Sequence, residues 1–206
     1  IPDHIKELKD MGIAVAIGHS GADYETTMKC IENGAVSATH TFNAMKLMHQ
    51  HFPAITGAVL ESDVYCEAIC DGRHLHPGVV RLLLKTKGLD KVIAVTDSIM
   101  ATGLPDGNYK LGVNDIVVVD GDAKLADGNS RAGSTLTTIN ALKNLLKFTD
   151  RPLEEVLVLL TKNPAKMLGI YDRAGSIQVG KYANLVVLND DNDVLDTFVQ
   201  GKMIYK

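Results

Sequence analysis

The stretch AIGHSGADYETTMKCIENGAVSATHTFNAM, residues 16–45, sets two histidines, His19 and His40, just past two apolar runs, each among small or polar neighbours. The runs Ile13–Ile17 and Ala35–Thr39 are short and rich in β-branched and small residues, which predicts strands. Between them Asp23–Asn33 predicts a helix, opened by an aspartate that suits an N-cap. Strand, helix, strand is the repeating unit of a parallel sheet.

Outward from this stretch the alternation continues. Val64–Cys70 and Val92–Thr96 are the next strand candidates, and Pro77–Lys87 is a helix candidate with proline at its first turn. Met45–Ser62 shows no clear period. After Asp97 turn residues accumulate, and DIVVVDGDAKLA predicts a hairpin with Asp-Gly at its tip, inside an excursion of residues 108–127. Helices resume at Ser134–Phe148 and Leu153–Thr161, and NPAKMLG reads as a short turn. The end, ANLVVLNDDNDVLDTFVQGKMIYK, predicts three short strands with turns at 189–192 and 200–201. The expected fold class is α/β, with a parallel unit over residues 1–170 and a small β unit over 171–206.

Composition narrows the function classes. At 46% hydrophobic residues with no tryptophan, the 206-residue chain must build its interior from aliphatic and small side chains. A formal charge of -4 supplies no basic field for a nucleic acid. No apolar run reaches the length of a membrane span, nothing near the start reads as a secretory leader, and the cytoplasm is the expected compartment. Cys30, Cys66 and Cys70 lack the spacing of a disulfide framework or zinc knuckle and are expected to be reduced core residues. Ile1 falls in what reads as a helix leading into a strand, so a longer parent chain is expected.

Four polar residues occupy one recurring position. His19, His40, His74 (in DGRH) and Asp97 (in VTD) each follow a predicted strand, and in parallel α/β folds those carboxyl ends meet on one face. Imidazoles suit divalent transition metals, which assigns His19 and His40 as candidate ligands. A carboxylate such as Asp97 beside an activated water is suited to acid–base work, and His74 to hydrogen-bonding a carbonyl or hydroxyl. Taken one at a time, each has an ordinary structural reading, Asp97 as a helix cap included. The pairs His49/His51 and His74/His76 have strand-face spacing but sit outside apolar runs and read as loops. TFNAM (41–45) and NSRAGSTLT (129–137) carry amide and small residues suited to sugar hydroxyls or phosphate, the second ahead of a helix N-terminus.

In order, GHS, ATHTFNAM, ITGAVL, DGRHLHP, VTDS, AGSTLT, KNPAKMLGI and GSIQVGKYANLVVL resemble the amidohydrolase superfamily, and within it the N-acetylglucosamine-6-phosphate deacetylase family. The resemblance covers nearly the whole chain. It implies the latter half of a (β/α)8 TIM-type barrel, strands five to eight, plus the C-terminal strands of a small β-sandwich. It implies metal-dependent hydrolysis of an acetamide to acetate and glucosamine 6-phosphate, the galactosamine epimer and a non-catalytic partial chain being the alternatives. By position, His19 and His40 would be metal ligands, zinc first with iron, cobalt or manganese as alternatives, and Asp97 the catalytic acid/base. Asn43, Ala44, His51, His74, Arg131, Ala132, Gly133 and Ser134 would be sugar-phosphate contacts. The family's remaining ligand, a glutamate, belongs to an earlier segment outside this sequence. His51, in HQHFPAITG, stands where the family carries an arginine. A homodimer, or completion by the N-terminal half, is the expected assembly.

Overall fold

The computed structural model describes residues 1–128 and 130–205. The chain begins with α1 (Pro2–Asp10) and then alternates β1 (Val15–Ile17), α2 (Tyr24–Glu32), β2 (Ala35–Ala38), α3 (Ala54–Glu61), β3 (Tyr65–Ile69), α4 (Pro77–Lys87) and β4 (Val92–Val95). These four strands form one parallel sheet in the order β1-β2-β3-β4, with Ile17 opposite Ala38, Ala38 opposite Cys66 and Ile69 opposite Val95. Because every strand runs the same way and a helix returns the chain each time, all four carboxyl ends open on one rim.

Local chemistry explains the helix starts. The Asp23 carboxylate accepts from the Thr26 N–H at 2.8 Å and opens α2. His76 does the same for α4, its Nδ1 accepting from the Gly78 N–H at 3.1 Å, with Pro77 in the first turn. The His74/His76 spacing therefore reflects a loop and a cap.

Helix α3 accounts for the segment that lacks a period. Residues Ala54 through Val59 are all buried, so its sequence, AITGAVLE, has no polar face to betray a 3.6-residue repeat. It packs into the main core with Val64, Cys66, Leu83, Leu145 and Leu159. Each fully buried aliphatic side chain there contributes roughly 1.5–3 kcal/mol. All three cysteines are free and buried, and burial pushes the Cys70 thiol up to about 12, which keeps it unreactive.

The excursion after Asp97 is a second sheet, antiparallel, of β5 (Gly107–Leu111), β6 (Asn114–Val119) and β7 (Asp122–Leu125). Asp120 and Gly121 at its tip both have positive φ, 51° and 68°, which is why Asp-Gly stands there. The strand β5, joined to β6 through Gly112 and Val113, lies outside the predicted hairpin, since GNYKL has no apolar alternation. Ile116, Val118 and Ala123 give this sheet its own core with Ile99, Ala101 and Ala132.

Three helical boundaries differ from expectation. The helix predicted from Ser134 begins at Thr138 (α5, Thr138–Thr149), because Ser134 is bridged to Ser98 just past β4 and Thr137 supplies the cap. That predicted over Leu153–Thr161 stops as α6 at Leu157, and the predicted turn is a short helix, α7 (Lys162–Met167). Asn163 fixes α7 in place: buried, it donates from Nδ2 to the carbonyls of Leu89 and Val92, both at 2.7 Å. The chain ends in an antiparallel sheet of β8 (Leu185–Leu188), β9 (Val194–Val199) and β10 (Lys202–Tyr205), in the order β10-β9-β8.

Candidate active site at the strand ends

Three of the four rim residues share one backbone geometry. His19, His40 and Asp97 each stand two residues past the last residue of their strand, and all are left-handed, with φ of 47°, 33° and 50°. Non-glycine residues adopt this region rarely, His and Asp more readily than most, at a cost of order 1–3 kcal/mol where strained. The turn lifts each side chain off the strand. Gly18 lets the first two turns close up: a Cβ there would lie 2.9 Å from both the Cβ and the carbonyl oxygen of Thr39. The His19 and His40 rings end up edge to face with centroids 5.6 Å apart.

His40 Nδ1 is buried and has no hydrogen-bond partner. A buried polar atom left alone is costly, and an imidazole nitrogen in that state is suited to a metal. Among the described residues no three His, Cys, Asp or Glu side chains form a closed cation cage. The donor set thus fits two ligand positions of a divalent ion.

Glu67 is the residue that reading the sequence missed. It is a lone carboxylate in the middle of VYCEAIC, on β3, between the strands that carry His40 and Asp97. Ser37 donates to its Oε1 at 2.8 Å, and the Glu67 main-chain carbonyl accepts from the Thr41 N–H at 2.7 Å. Burial pushes the Glu67 carboxyl above the ordinary carboxylate range, the Ser37 and His40 contacts pull against that, and the nearby Asp97 charge adds to the upward push. The signal available in the sequence was a charged residue in an otherwise apolar parallel strand.

Asp97 itself is exposed on the rim and held through its main chain. Its carbonyl accepts from the Ser134 N–H at 2.7 Å, and Ser134 Oγ donates to the Thr96 carbonyl. A Cβ at Gly133 would lie 2.9 Å from the Asp97 carbonyl and 2.4 Å from Ile99, so only glycine admits this approach. The segment around Ser134 thus pairs with residues 97–99, just past the end of β4, in an isolated parallel bridge.

His74 is fixed by Asp71. One carboxylate oxygen accepts from the backbone N–H groups of Arg73 and His74 at 2.8 and 2.7 Å, and the other lies 2.6 Å from His74 Nδ1. Burial alone would raise the Asp71 carboxyl, but these bonds outweigh it and hold it below the usual range. Because an ionised carboxylate only accepts, Nδ1 carries the proton. Nε2 then accepts from a hydroxyl when the ring is neutral, and donates to a carbonyl when the ring is an imidazolium.

His74, Gly133 and Ser134 line one cavity of about 240 Å³, with Thr135, Asn140 and Asn144 among the other walls. The hairpin tip closes it: Arg73 binds the Asp120 carbonyl, and Thr135 donates to the Gly121 carbonyl at 2.6 Å. Other predicted contacts are placed differently. Asn43 donates its amide to the carbonyls of His40 and Thr41 at 3.3 and 3.4 Å, and the adjacent Ala44 is exposed with φ of 49°. His51 stands on an exposed loop against His49 and Phe52, with ring centroids 5.4 and 6.4 Å away, and does not line the cavity. Ala132 is buried in the second core. Arg131 is committed to Asp122, with Nε to Oδ1 at 2.8 Å and Nη2 to Oδ2 at 3.0 Å.

That ion pair carries a pH dependence. Burial would raise the Asp122 carboxyl, but Arg131 and Lys124 outweigh it and hold it below the ordinary range. A depressed folded-state pKa stabilises the fold above the unfolded carboxylate value of about 3.9, and the benefit disappears as pH falls through the folded value. Asp122→Asn should therefore be less stable than the parent at pH 7, with the gap closing in acid, as measured by urea unfolding across pH. A gap that widens in acid would contradict this.

Residues 2–204 match the model of the amidohydrolase family. N-acetylglucosamine-6-phosphate deacetylase of Vibrio furnissii is 35% identical over 204 residues, covering 98% of this chain and 51% of that protein. The crystal structure of the Pasteurella multocida N-acetylglucosamine-6-phosphate deacetylase superposes with a TM-score of 0.95 at 36% identity, covering 100% of this chain and 54% of the other. A Mycobacterium smegmatis deacetylase variant, solved in complex with N-acetyl-D-glucosamine-6-phosphate, gives a TM-score of 0.93 at 34% identity, with coverages of 100% and 55%. The chain spans about half the length of the curated relatives it matches.

Proposed function

Since the chain belongs to the amidohydrolase family, we propose that it forms the acid–base and sugar-binding part of a deacetylase that hydrolyses N-acetylglucosamine 6-phosphate to glucosamine 6-phosphate and acetate. The observation that carries this reading is the shared left-handed turn at His19, His40 and Asp97, with His40 Nδ1 buried and unpartnered. The four strands, in sequential parallel order, are read as strands five to eight of a (β/α)8 barrel spanning residues 1–170, and residues 171–206 as closing strands of a small β-sandwich. The N-terminal half of a longer chain would complete barrel and ligand set, in a cytoplasmic homodimer.

His19 and His40 would hold a divalent metal, zinc by preference for imidazole donors, with iron, cobalt or manganese as alternatives. When bound it supplies Lewis-acid polarisation and a lowered pKa for water. Asp97 takes the proton of the attacking water as the C–O bond forms, and returns it to the sugar nitrogen as the amide C–N bond then breaks. His74, held by Asp71, donates from Nε2 to the acetamide oxygen as negative charge develops there. The cavity beside His74 is walled by the polar side chains of Ser134, Thr135 and Asn140, suited to sugar hydroxyls. With Arg131 paired to Asp122, phosphate recognition falls to backbone groups of the 132–134 segment, with His51 standing where the family carries an arginine.

The test is acetate release by the complete, zinc-loaded enzyme from N-acetylglucosamine 6-phosphate, its galactosamine epimer and unphosphorylated N-acetylglucosamine. The expected order is the glucosamine phosphate first and the unphosphorylated sugar last. Equal rates on all three would remove the phosphorylated sugar from the reading.

A further inference from the structure

Among the described residues the cavity beside His74 is lined by a single arginine, Arg73, the residue just before it. Its loop is fixed from two sides. The Arg73 N–H donates to Asp71 Oδ1 at 2.8 Å, and Asn144 Nδ2 donates to the Cys70 carbonyl at 2.9 Å, which ties the root of the loop to α5. The Arg73 side chain is exposed, and its guanidinium makes one hydrogen bond, from Nη2 to the Asp120 carbonyl, a neutral acceptor. Nη1 lies 3.7 Å from the point where a Cβ would stand on Gly121, so the charged group sits where the hairpin tip meets the cavity wall. The arginine ion pairs among the described residues are Arg131 with Asp122 and Arg151 with Glu155, and Arg73 has no carboxylate partner.

Two carboxylates line the same cavity, Asp71 and Asp122, and both are engaged elsewhere. Asp71 is taken by the Arg73 and His74 N–H groups and by His74 Nδ1, and Asp122 by Arg131 and by Lys124 Nζ at 3.3 Å. Set against Arg131, Lys124 and Arg73, these acids leave one positive charge in excess. It stands on Arg73, the one of the three without a carboxylate of its own.

Resting on the reading of a phosphorylated amino sugar as substrate, we propose that Arg73 binds the sugar's phosphate from the hairpin side of the cavity, through the N–H groups that its bond to Asp120 leaves free. It adds a charge to the backbone groups of the 132–134 segment and sets the preference for a phosphorylated sugar. A guanidinium presents a planar fork to two phosphate oxygens, and the Asp120 bond holds that fork in place before the anion arrives. His51, outside the cavity wall, and Arg131, paired to Asp122, are not placed to do this. The rival role for Arg73 is that of a latch on the hairpin tip. A latch serves a sugar with or without phosphate equally, and a phosphate contact does not.

Two substitutions are used. Arg73→Gln removes the charge and keeps an amide N–H to donate towards the Asp120 carbonyl, and Arg73→Lys keeps the charge and loses the fork. The readouts are kcat and KM of the complete, zinc-loaded enzyme for N-acetylglucosamine 6-phosphate and for N-acetylglucosamine, and calorimetric titration with inorganic phosphate. Arg73→Gln should lower kcat/KM for the phosphorylated sugar by about 10–100-fold, mainly through KM, in line with loss of hydrogen bonds to a charged group. The unphosphorylated sugar should be turned over as by the wild type. Arg73→Lys should fall between the two enzymes, and phosphate binding should weaken about tenfold or more in Arg73→Gln. An equal loss on both sugars would make Arg73 a latch and overturn the proposal, and so would wild-type kinetics on the phosphorylated sugar. Should Arg73→Gln not fold, Arg73→Lys decides: a loss confined to the phosphorylated sugar supports the proposal, and an equal or absent loss overturns it. A wild-type enzyme that shows no preference between the sugars would instead remove the phosphorylated substrate. The phosphate titration then decides, weaker binding in the variant supporting an anion site at Arg73 and equal or absent binding overturning it.

Discussion

Asp97→Asn is expected to lower kcat for acetate release by about 10²–10⁴-fold, the usual contribution of a positioned acid–base group. Zinc content should stay at the wild-type level. Asparagine is the substitution to use because it tolerates the left-handed region as well as aspartate does, so the φ of 50° at this position costs nothing new. The main-chain bond from Ser134 to the residue-97 carbonyl is also kept, since it does not involve the side chain. What disappears is the ability to take a proton from water and give it to the leaving nitrogen. A variant with wild-type kcat would take Asp97 out of the mechanism.

The second large effect is on the metal. His40→Asn should weaken zinc binding by more than the roughly 10–100-fold typical of outer-shell changes, because it deletes a ligand outright. Here too asparagine is chosen for the backbone, His40 having φ of 33°; alanine would add a steric penalty of about 1–2 kcal/mol and blur the result. Chelator competition checks this, with the wild-type enzyme expected to bind zinc more tightly than His40→Asn. Unchanged zinc affinity in His40→Asn would mean that its buried, unpartnered nitrogen serves something other than a metal.

Most of the parallel sheet was legible along the chain, because short β-branched runs separated by capped helices admit few other arrangements. Predicted strands at Ala35–Thr39 and Val92–Thr96 appear as β2 and β4, each one residue shorter, and Asp23 and Pro77 mark their helices as expected. The recurring place of His19, His40 and Asp97 after their strands was also readable. Helix α3 was not, since a helix buried on every side has no polar stripe.

What the linear order of residues determined by itself was the fold class, the Asp-Gly hairpin tip and the rim positions of the candidate ligands, all of which depend on local pattern and turn chemistry. Tertiary structure alone decided which partners those residues meet. It paired the segment around Ser134 with residues 97–99 where a helix was expected, gave Arg131 to Asp122, and joined Glu67 to Ser37 across thirty residues of chain. The reason is physical: a hydrogen bond between distant residues depends on strand register and on which groups burial leaves in need of a partner, and neither is written in the spacing of residues along one strand.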